Sequence, residues 1–120
     1  MKKEYKNHSG KLILKVFEEN NIIFLSWHGK SLDLSPGDFL FPVFREIFDG
    51  NENNIVMNFE DLQYWDSSSI AVLIKLLGEI KKGNRKITLE YKADEDWQQL
   101  SFTALQVFQT PDERIKIIGK

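Results

Sequence analysis

The chain has no cysteine. That absence excludes a disulfide framework, a thiolate metal site and cysteine redox chemistry together. There is no excess of positive charge either, since 16 lysines and arginines stand against 18 acidic residues for a formal net charge of -2. Binding a phosphate backbone normally requires a basic face, so nucleic acid is a poor candidate partner. Long apolar runs are missing: the longest, Ile70 to Ile74, is cut by Lys75, far short of the ~20 residues of a membrane helix. No apolar stretch of signal-peptide kind directly follows the charged start MKKEYKNH. A cytoplasmic protein with no direct membrane insertion is expected. Repeats, linkers and low-complexity tracts are absent too. A chain of 120 residues suits one domain over 1–120 with a single core, residues 1–10 being an N-terminal tail or edge segment.

What is present reads as short strands and three helices. Lys11 to Phe17 and Ile22 to His28 are β-rich runs joined by the polar break Glu18-Glu19-Asn20-Asn21, which predicts an antiparallel hairpin. Ser31 to Asp38 is turn chemistry ending in a candidate helix cap, and a helix through Phe48 follows with Pro42 in its first turn or kinking it. Ile55 to Phe59 reads as a buried strand, Ile70 to about Lys82 as a second helix stopped at Gly83-Asn84, and Ile87 to Tyr91 as another strand. Asp94 or Asp96 opens a third helix carrying Trp97, Leu100, Ala104, Val107 and Phe108 at helical spacing, and Ile115 to Ile118 closes the chain as a strand. The predicted class is α/β, order β-β-α-β-α-β-α-β, a mixed sheet with an antiparallel edge hairpin and helices packed on it. On the second helix Ile70, Leu73, Ile74, Leu77 and Ile80 share the core arc, while Lys75, Glu79 and Lys82 face solvent.

Four motifs invite chemistry. HGKS, His28 to Ser31, looks like the end of a phosphate-binding loop, but Phe24 stands where a further glycine is needed, and a strand end with a turn is the simpler reading. Ser67, Asp66 and His28 do not make a hydrolytic triad, because nothing like a nucleophile elbow surrounds the serines and a triad needs its base between the other two. The two histidines and the carboxylates show no metal-ligand spacing. No enzyme, metal or cofactor is expected. The stretch DFLFPVFREIF, with Phe39, Phe41, Phe44 and Phe48, is core if buried and an interface if one or two rings are exposed. Finally, Asp66-Ser67-Ser68-Ser69 precedes an apolar helix, and Asp and Ser are preferred N-caps whose oxygens accept first-turn amides.

The whole arrangement around that last motif resembles the STAS family, the domain of bacterial anti-sigma-factor antagonists. The likeness lies in NIVMNFEDLQYWDSSSIAVLIKLLGEIKKGNRKITLEY, a buried strand, a loop and Asp-Ser-Ser at the head of an amphipathic helix, and in the earlier Gly29-Lys30-Ser31-Leu32-Asp33. It covers the order of elements from about Lys11 onward and closes on the last strand, where many members carry a further helix. The resemblance implies a non-catalytic binding protein that works by partner switching. Its phosphorylated residue falls on Ser67, less well on Ser68, and its partner surface on Trp65, Asp66, Ser67, Ser68, Ser69, Asp33 and Lys75. The implied partners are a kinase-type anti-sigma factor or serine kinase of the switch type, with a phosphatase to reverse the mark. Ser69 stands where the family has glycine, and its side chain is expected to crowd a closely packing partner. Trp65 replaces an aliphatic residue and is expected to be partly buried.

Phosphate on Ser67 would add about two charges at a helix N-terminus, where amides and dipole favour an anion, and would act by blocking a surface. Two other readings stay open. One is a constitutive STAS-like subunit of a larger complex, such as a lipid-transport ATPase or a signalling scaffold; the other is a small-ligand or nucleotide-binding protein.

Overall fold

A computed structural model describes residues 2–120. In chain order the elements are β1 (Lys2–Lys6), β2 (Leu12–Glu19), β3 (Ile22–Ser31), α1 (Gly37–Phe48), β4 (Asn54–Asn58), β5 (Leu62–Trp65), α2 (Ser67–Lys81), β6 (Ile87–Tyr91), α3 (Asp96–Leu105) and β7 (Ile115–Gly119), with a 3-10 turn at Gln106–Phe108. This is a single α/β domain with a mixed sheet in the order β1-β2-β3-β4-β6-β7, and β5 pairs with β3. The hairpin β2–β3 and the β1–β2 pair are antiparallel, and the other pairings are parallel.

Two strands exceed the predicted order. The sequence KKEYK of β1 lacks the apolar alternation of a strand, yet it pairs along β2 from Lys2↔Phe17 to Lys6↔Ile13. An open ladder beside it supplies hydrogen bonds that side-chain pattern does not announce, and lysines are common on such edges. Strand β5 has only four residues and exists because β3 outruns β4. Ile22 to Ser26 pair with β4, and Gly29 to Ser31 pair with β5 across a register shift at Gly29/Lys30. Gly29 has φ +91, and a β-carbon there would run into the Lys11 carbonyl oxygen. Only glycine fits this bend.

All three helices pack on one face of the sheet. Leu12, Leu14 and Val16, then Ile23, Leu25 and Trp27, then Ile55 and Met57, Ile87 and Leu89, and Ile115 and Ile117 alternate along their strands into a single core. The intervening residues turn to the helix-free side. There Phe17, Phe24, Val56, Thr88 and Lys116 stand in cross-strand register, none of them buried. Val56 and Asn58 are therefore surface residues inside a strand expected to be buried throughout. Parallel strands covered on both faces would be apolar throughout, whereas these alternate.

The helices correct several boundaries and faces. Pro36, with no side-chain cap, is the N-cap of α1, and Asp38 lies in the first turn. Pro42 sits in the second turn rather than the first, on an exposed side of the helix. Phe44 and Phe48 are core, while Phe39 and Phe41 are partly buried against it. On α2 the buried apolar set is Val72, Leu73, Leu76, Leu77 and Ile80, with Ile70 and Ile74 only partly buried. The core arc is rotated towards α1, which supplies the apolar wall facing Val72 and Leu76. On α3 the buried face is Gln98, Phe102 and Leu105, while Leu100 and Val107 are 77% and 79% exposed. A polar glutamine faces inward because all its hydrogen bonds are made there. Gln98 Nε2 donates to the carbonyls of Phe59 and Leu62 at 2.7 and 3.0 Å, and Oε1 accepts from Lys92 N–H at 2.8 Å. This one side chain ties α3 to the β4–β5 loop and to the end of β6.

Candidate functional site

The end of the sheet where β3, β5 and β6 give way to helices gathers the predicted residues. Asp66 is extended (φ -100, ψ 176) and caps α2: its Oδ1 accepts from Ser69 N–H at 3.0 Å and from Ser69 Oγ at 3.1 Å. Its own N–H donates to the Ser31 carbonyl at 3.2 Å, and Ser69 Oγ lies 3.1 Å from that same oxygen. The Ser31 and Ser69 hydroxyls are 2.6 Å apart, and both residues are buried. Donors can be counted. The Ser69 proton goes to Asp66 or to the Ser31 carbonyl, so Ser31 donates to Ser69. A buried, fully paired hydroxyl pair thus pins the head of α2 to the end of β3.

Ser69 is fully buried. Its expected crowding of the docking surface is corrected by its complete burial; at this position the side chain points down from the third helical residue into the β3–α2 junction. Trp65 is corrected as well. It is 2% exposed, not partly buried, and touches no outer surface. Its ring stacks on Phe102 (5.3 Å, 17°), meets Phe59 at 5.2 Å and stands edge-on to Trp27 (5.9 Å, 88°). Strict alternation would put Leu62 and Trp65 on opposite faces; the register shift that pairs Gly29 with Leu62 but Lys30 with Tyr64 leaves Gln63 as an extra residue, so Leu62 and Trp65 both point inward while Gln63 and Tyr64 are exposed. The Nε1 atoms of Trp27 and Trp65 are buried without hydrogen-bond partners, a cost accepted for the packing of four rings.

Ser67 and Ser68 are exposed on the first turn of α2, where first-turn amides have no intrahelical acceptor. Asp66 takes the Ser69 amide, and those of Ser67 and Ser68 have no acceptor among the described residues. Ser68 also lines a cleft with Gly37 and Arg45. Asp33 is partly buried and structural: its Oδ2 accepts from Asn7 Nδ2 at 3.0 Å, and Asn7 Oδ1 accepts from Leu12 N–H at 3.2 Å. The Gly29 to Asp33 element therefore joins the β1–β2 turn to the head of α2. Lys75 is exposed two turns along α2, its Nζ 5.2 Å above the Phe41 ring.

Sequence reasoning passed over three exposed apolar residues at this end: Leu32 (43% exposed), Leu34 (100%) and Tyr64 (48%). Leu32 and Leu34 alternate with polar residues in a turn-rich stretch, the one signal that they lack a core face. Tyr64 leans on Trp97 at 5.7 Å.

The other candidate chemistry is not assembled. In HGKS the chain stays a strand through Ser31, and the Gly29 and Lys30 amides donate to the Asp61 and Lys11 carbonyls, leaving no phosphate cradle. His28 lies far from the serines of α2, on the helix-free face. Its Nε2 is 2.8 Å from Ser26 Oγ and its Nδ1 3.7 Å from Asp61 Oδ2. Burial, then the nearby Lys15, hold its pKa below the usual imidazole value, against the pull of Asp61 and Glu4. A flat strand surface whose amides are committed to the ladder offers no oxyanion donors to this trio. Among the described residues no group of three or more metal-ligating side chains gathers, and no helix is long and apolar enough to cross a membrane.

The chain matches no curated protein. The STAS domain profile matches residues 15–113, from within β2 to the loop before β7, and so covers β3 to β6, the three helices and the Asp66-Ser67-Ser68 head of α2. STAS domains are non-catalytic regulatory modules associated with partner switching. This chain belongs to the STAS domain family.

Proposed function

We propose that this STAS domain is a partner-switching antagonist of a kinase-type anti-sigma factor, controlled by phosphorylation of Ser67 and reversed by a phosphatase, in the cytoplasm. The observation that carries this reading is the division of labour at the head of α2. Asp66 and Ser69 hold the helix start through buried and part-buried hydrogen bonds, and Ser67 stands exposed on the same turn. A kinase meets an accessible hydroxyl on a fixed frame, and Asp66 both caps the helix and lies beside that hydroxyl. The exposed side chains of Leu32, Leu34 and Tyr64 at the same end of the sheet supply the apolar contact area that a docking partner buries. Charge placed in such a contact costs several kcal/mol, so one phosphate suffices to dissociate the pair.

Affinity purification from the native organism with wild-type and Ser67→Asp baits, followed by mass spectrometry of partners and phosphosites, tests this directly. A wild-type bait that retains an anti-sigma kinase, lost with Ser67→Asp, is the expected outcome. Equal retention by both baits, with no phosphate on Ser67, refutes it. The assembly-subunit reading drew on Ser69 and Trp65, and neither residue reaches the surface.

A further inference from the structure

A second surface lies away from the serines, between α1 and α2. A cleft of 580 Å³ separates the two helices, with Phe44, Phe48, Leu76 and Ile80 in its floor and charged side chains on both lips. Both helices run in the same direction, because each follows one member of the parallel pair β3 and β5. Their first turns are side by side, since Gly37 and Ser68 border one cleft. Positions along the two lips can therefore be compared by counting residues from each helix start.

The count puts like charges opposite each other. Arg45 and Lys75 each lie eight residues past the first residue of their helix, ~12 Å along the axis at ~1.5 Å per residue. Asp49, the C-cap residue just past the end of α1, and Glu79 within α2 each lie twelve residues past the first residue of their helix, ~18 Å along. A rung of two cations is followed one turn later by a rung of two carboxylates, above an apolar floor. Arg45 and Asp49 make no ion pair among the described residues, and Glu79 makes only an exposed one with Lys82 at 3.5 Å. At the far end Arg85 is held in place, its Nη2 donating to Phe48 O at 2.9 Å and to Asn51 Oδ1 at 2.7 Å and its carbon lying 5.4 Å from the Phe48 ring centre, and its charge faces the Asp49 and Glu52 carboxylates. Among the described residues no ion pair joins the two lips.

We infer that this cleft receives an amphipathic α-helix of a partner protein, one whose apolar stripe is flanked by acidic residues at one level and basic residues one turn away. The apolar floor takes the stripe, as in other helix-in-groove recognition. Each rung meets opposite charge on both flanks of the incoming helix, and the turn-to-turn spacing of ~5.4 Å on that helix matches the step between rungs. This surface is additional to the Ser67 face and does not depend on phosphorylation.

The probe is a set of three synthetic peptides of about 15 residues, the length at which an isolated helix begins to hold. All carry the same leucine stripe; their flanks are acidic then basic, all acidic, or all basic. Binding is followed by fluorescence anisotropy. The mixed peptide is expected to bind about tenfold more tightly than either uniform one, the sum of several surface pairs gained or opposed. The double variant Arg45→Glu with Lys75→Glu, both exposed positions, makes the lips wholly acidic, and preference should pass to the all-basic peptide. Equal binding of all three peptides, no binding, or an unchanged preference in the double variant overturns the inference. So does a wild-type dimer that the double variant abolishes, because the occupant would then be a second copy of the chain.

Discussion

Substituting Ser69 with alanine tests the internal clamp that frames the proposed switch. Ser69 is fully buried, and among the described residues its hydroxyl is the only partner of the Ser31 hydroxyl, 2.6 Å away. Ser69→Ala strands a buried O–H donor, a loss of ~1–3 kcal/mol. Ser31→Ala is milder, because the Ser69 proton still has the Asp66 carboxylate and the Ser31 carbonyl as acceptors. It removes one donated bond at ~0.5–1.5 kcal/mol. Once both are alanine no hydroxyl is left unpaired, and the double variant should lose less than the two single losses added, with a coupling of ~1 kcal/mol. Urea unfolding at equilibrium reads all three. For a slope of ~1–3 kcal/mol per molar urea, Ser69→Ala lowers the midpoint by about 1 M. Strictly additive losses, or a larger loss for Ser31→Ala than for Ser69→Ala, would show that the pair does not work as this donor count requires.

The bend at Gly29 gives a second test. Gly29→Ala should cost at least ~3 kcal/mol, since a left-handed backbone and a collision with the Lys11 carbonyl act together. Gly10, with φ +74 and open space around it, serves as the comparison at ~1–2 kcal/mol for backbone strain alone; thermal unfolding with equal losses at both sites refutes the steric argument. A third test uses alkaline pH. Burial, then a hydrogen bond from Tyr5 to Glu46 and that carboxylate's charge, push the phenol up to about 12 from ~10 in an unfolded chain. The folded state holds this proton more tightly, so its contribution is complete below pH ~10 and disappears as pH rises towards about 12. Denaturant midpoints measured across that window should fall more steeply for wild type than for Tyr5→Phe, and parallel curves would sink the assignment.

The sequence carries the elements that bury an apolar face more plainly than those held by backbone or polar contacts. The short apolar run Ile55 to Phe59 and the β-rich run Ile87 to Tyr91 mark strands directly, and the Asp66 cap follows from residue type alone. Strand β1 and strand β5 leave no such trace, because KKEYK is held by a ladder to β2 and LQYW is long enough only to complete the end of β3. The periodicity of α3 is misleading for a different reason. Trp97, Leu100, Ala104 and Val107 make a regular apolar stripe, yet Gln98 turns inward, since it alone can satisfy three backbone groups at the core edge. Hydrophobicity ranks leucine above glutamine for burial, but an unpaired backbone group in the interior costs more than an exposed leucine.

At the head of α2 the same logic separates residues that the motif presents as one run. Three successive serines look equivalent in sequence, but helix geometry turns Ser69 inward, one turn above the Asp66 cap, and leaves Ser67 and Ser68 outside. Where the family resemblance leads one to expect glycine, a hydroxyl here fills the junction and bonds to Ser31 and Asp66. The substitution therefore acts on the frame beneath the proposed phosphoacceptor, not on the face a partner would meet. Phosphate on Ser67 would lie beside the Asp66 carboxylate, where each pair of like charges ~4 Å apart costs about 1 kcal/mol in a watery setting. The helix dipole and the first-turn amides return ~0.3–1 kcal/mol or more. These terms nearly cancel within the domain, whereas nothing cancels them in an apolar contact formed by Leu32, Leu34 and Tyr64. A hydrogen-bonded cap under an exposed hydroxyl thus directs the energetic effect of the modification outward, to the bound partner.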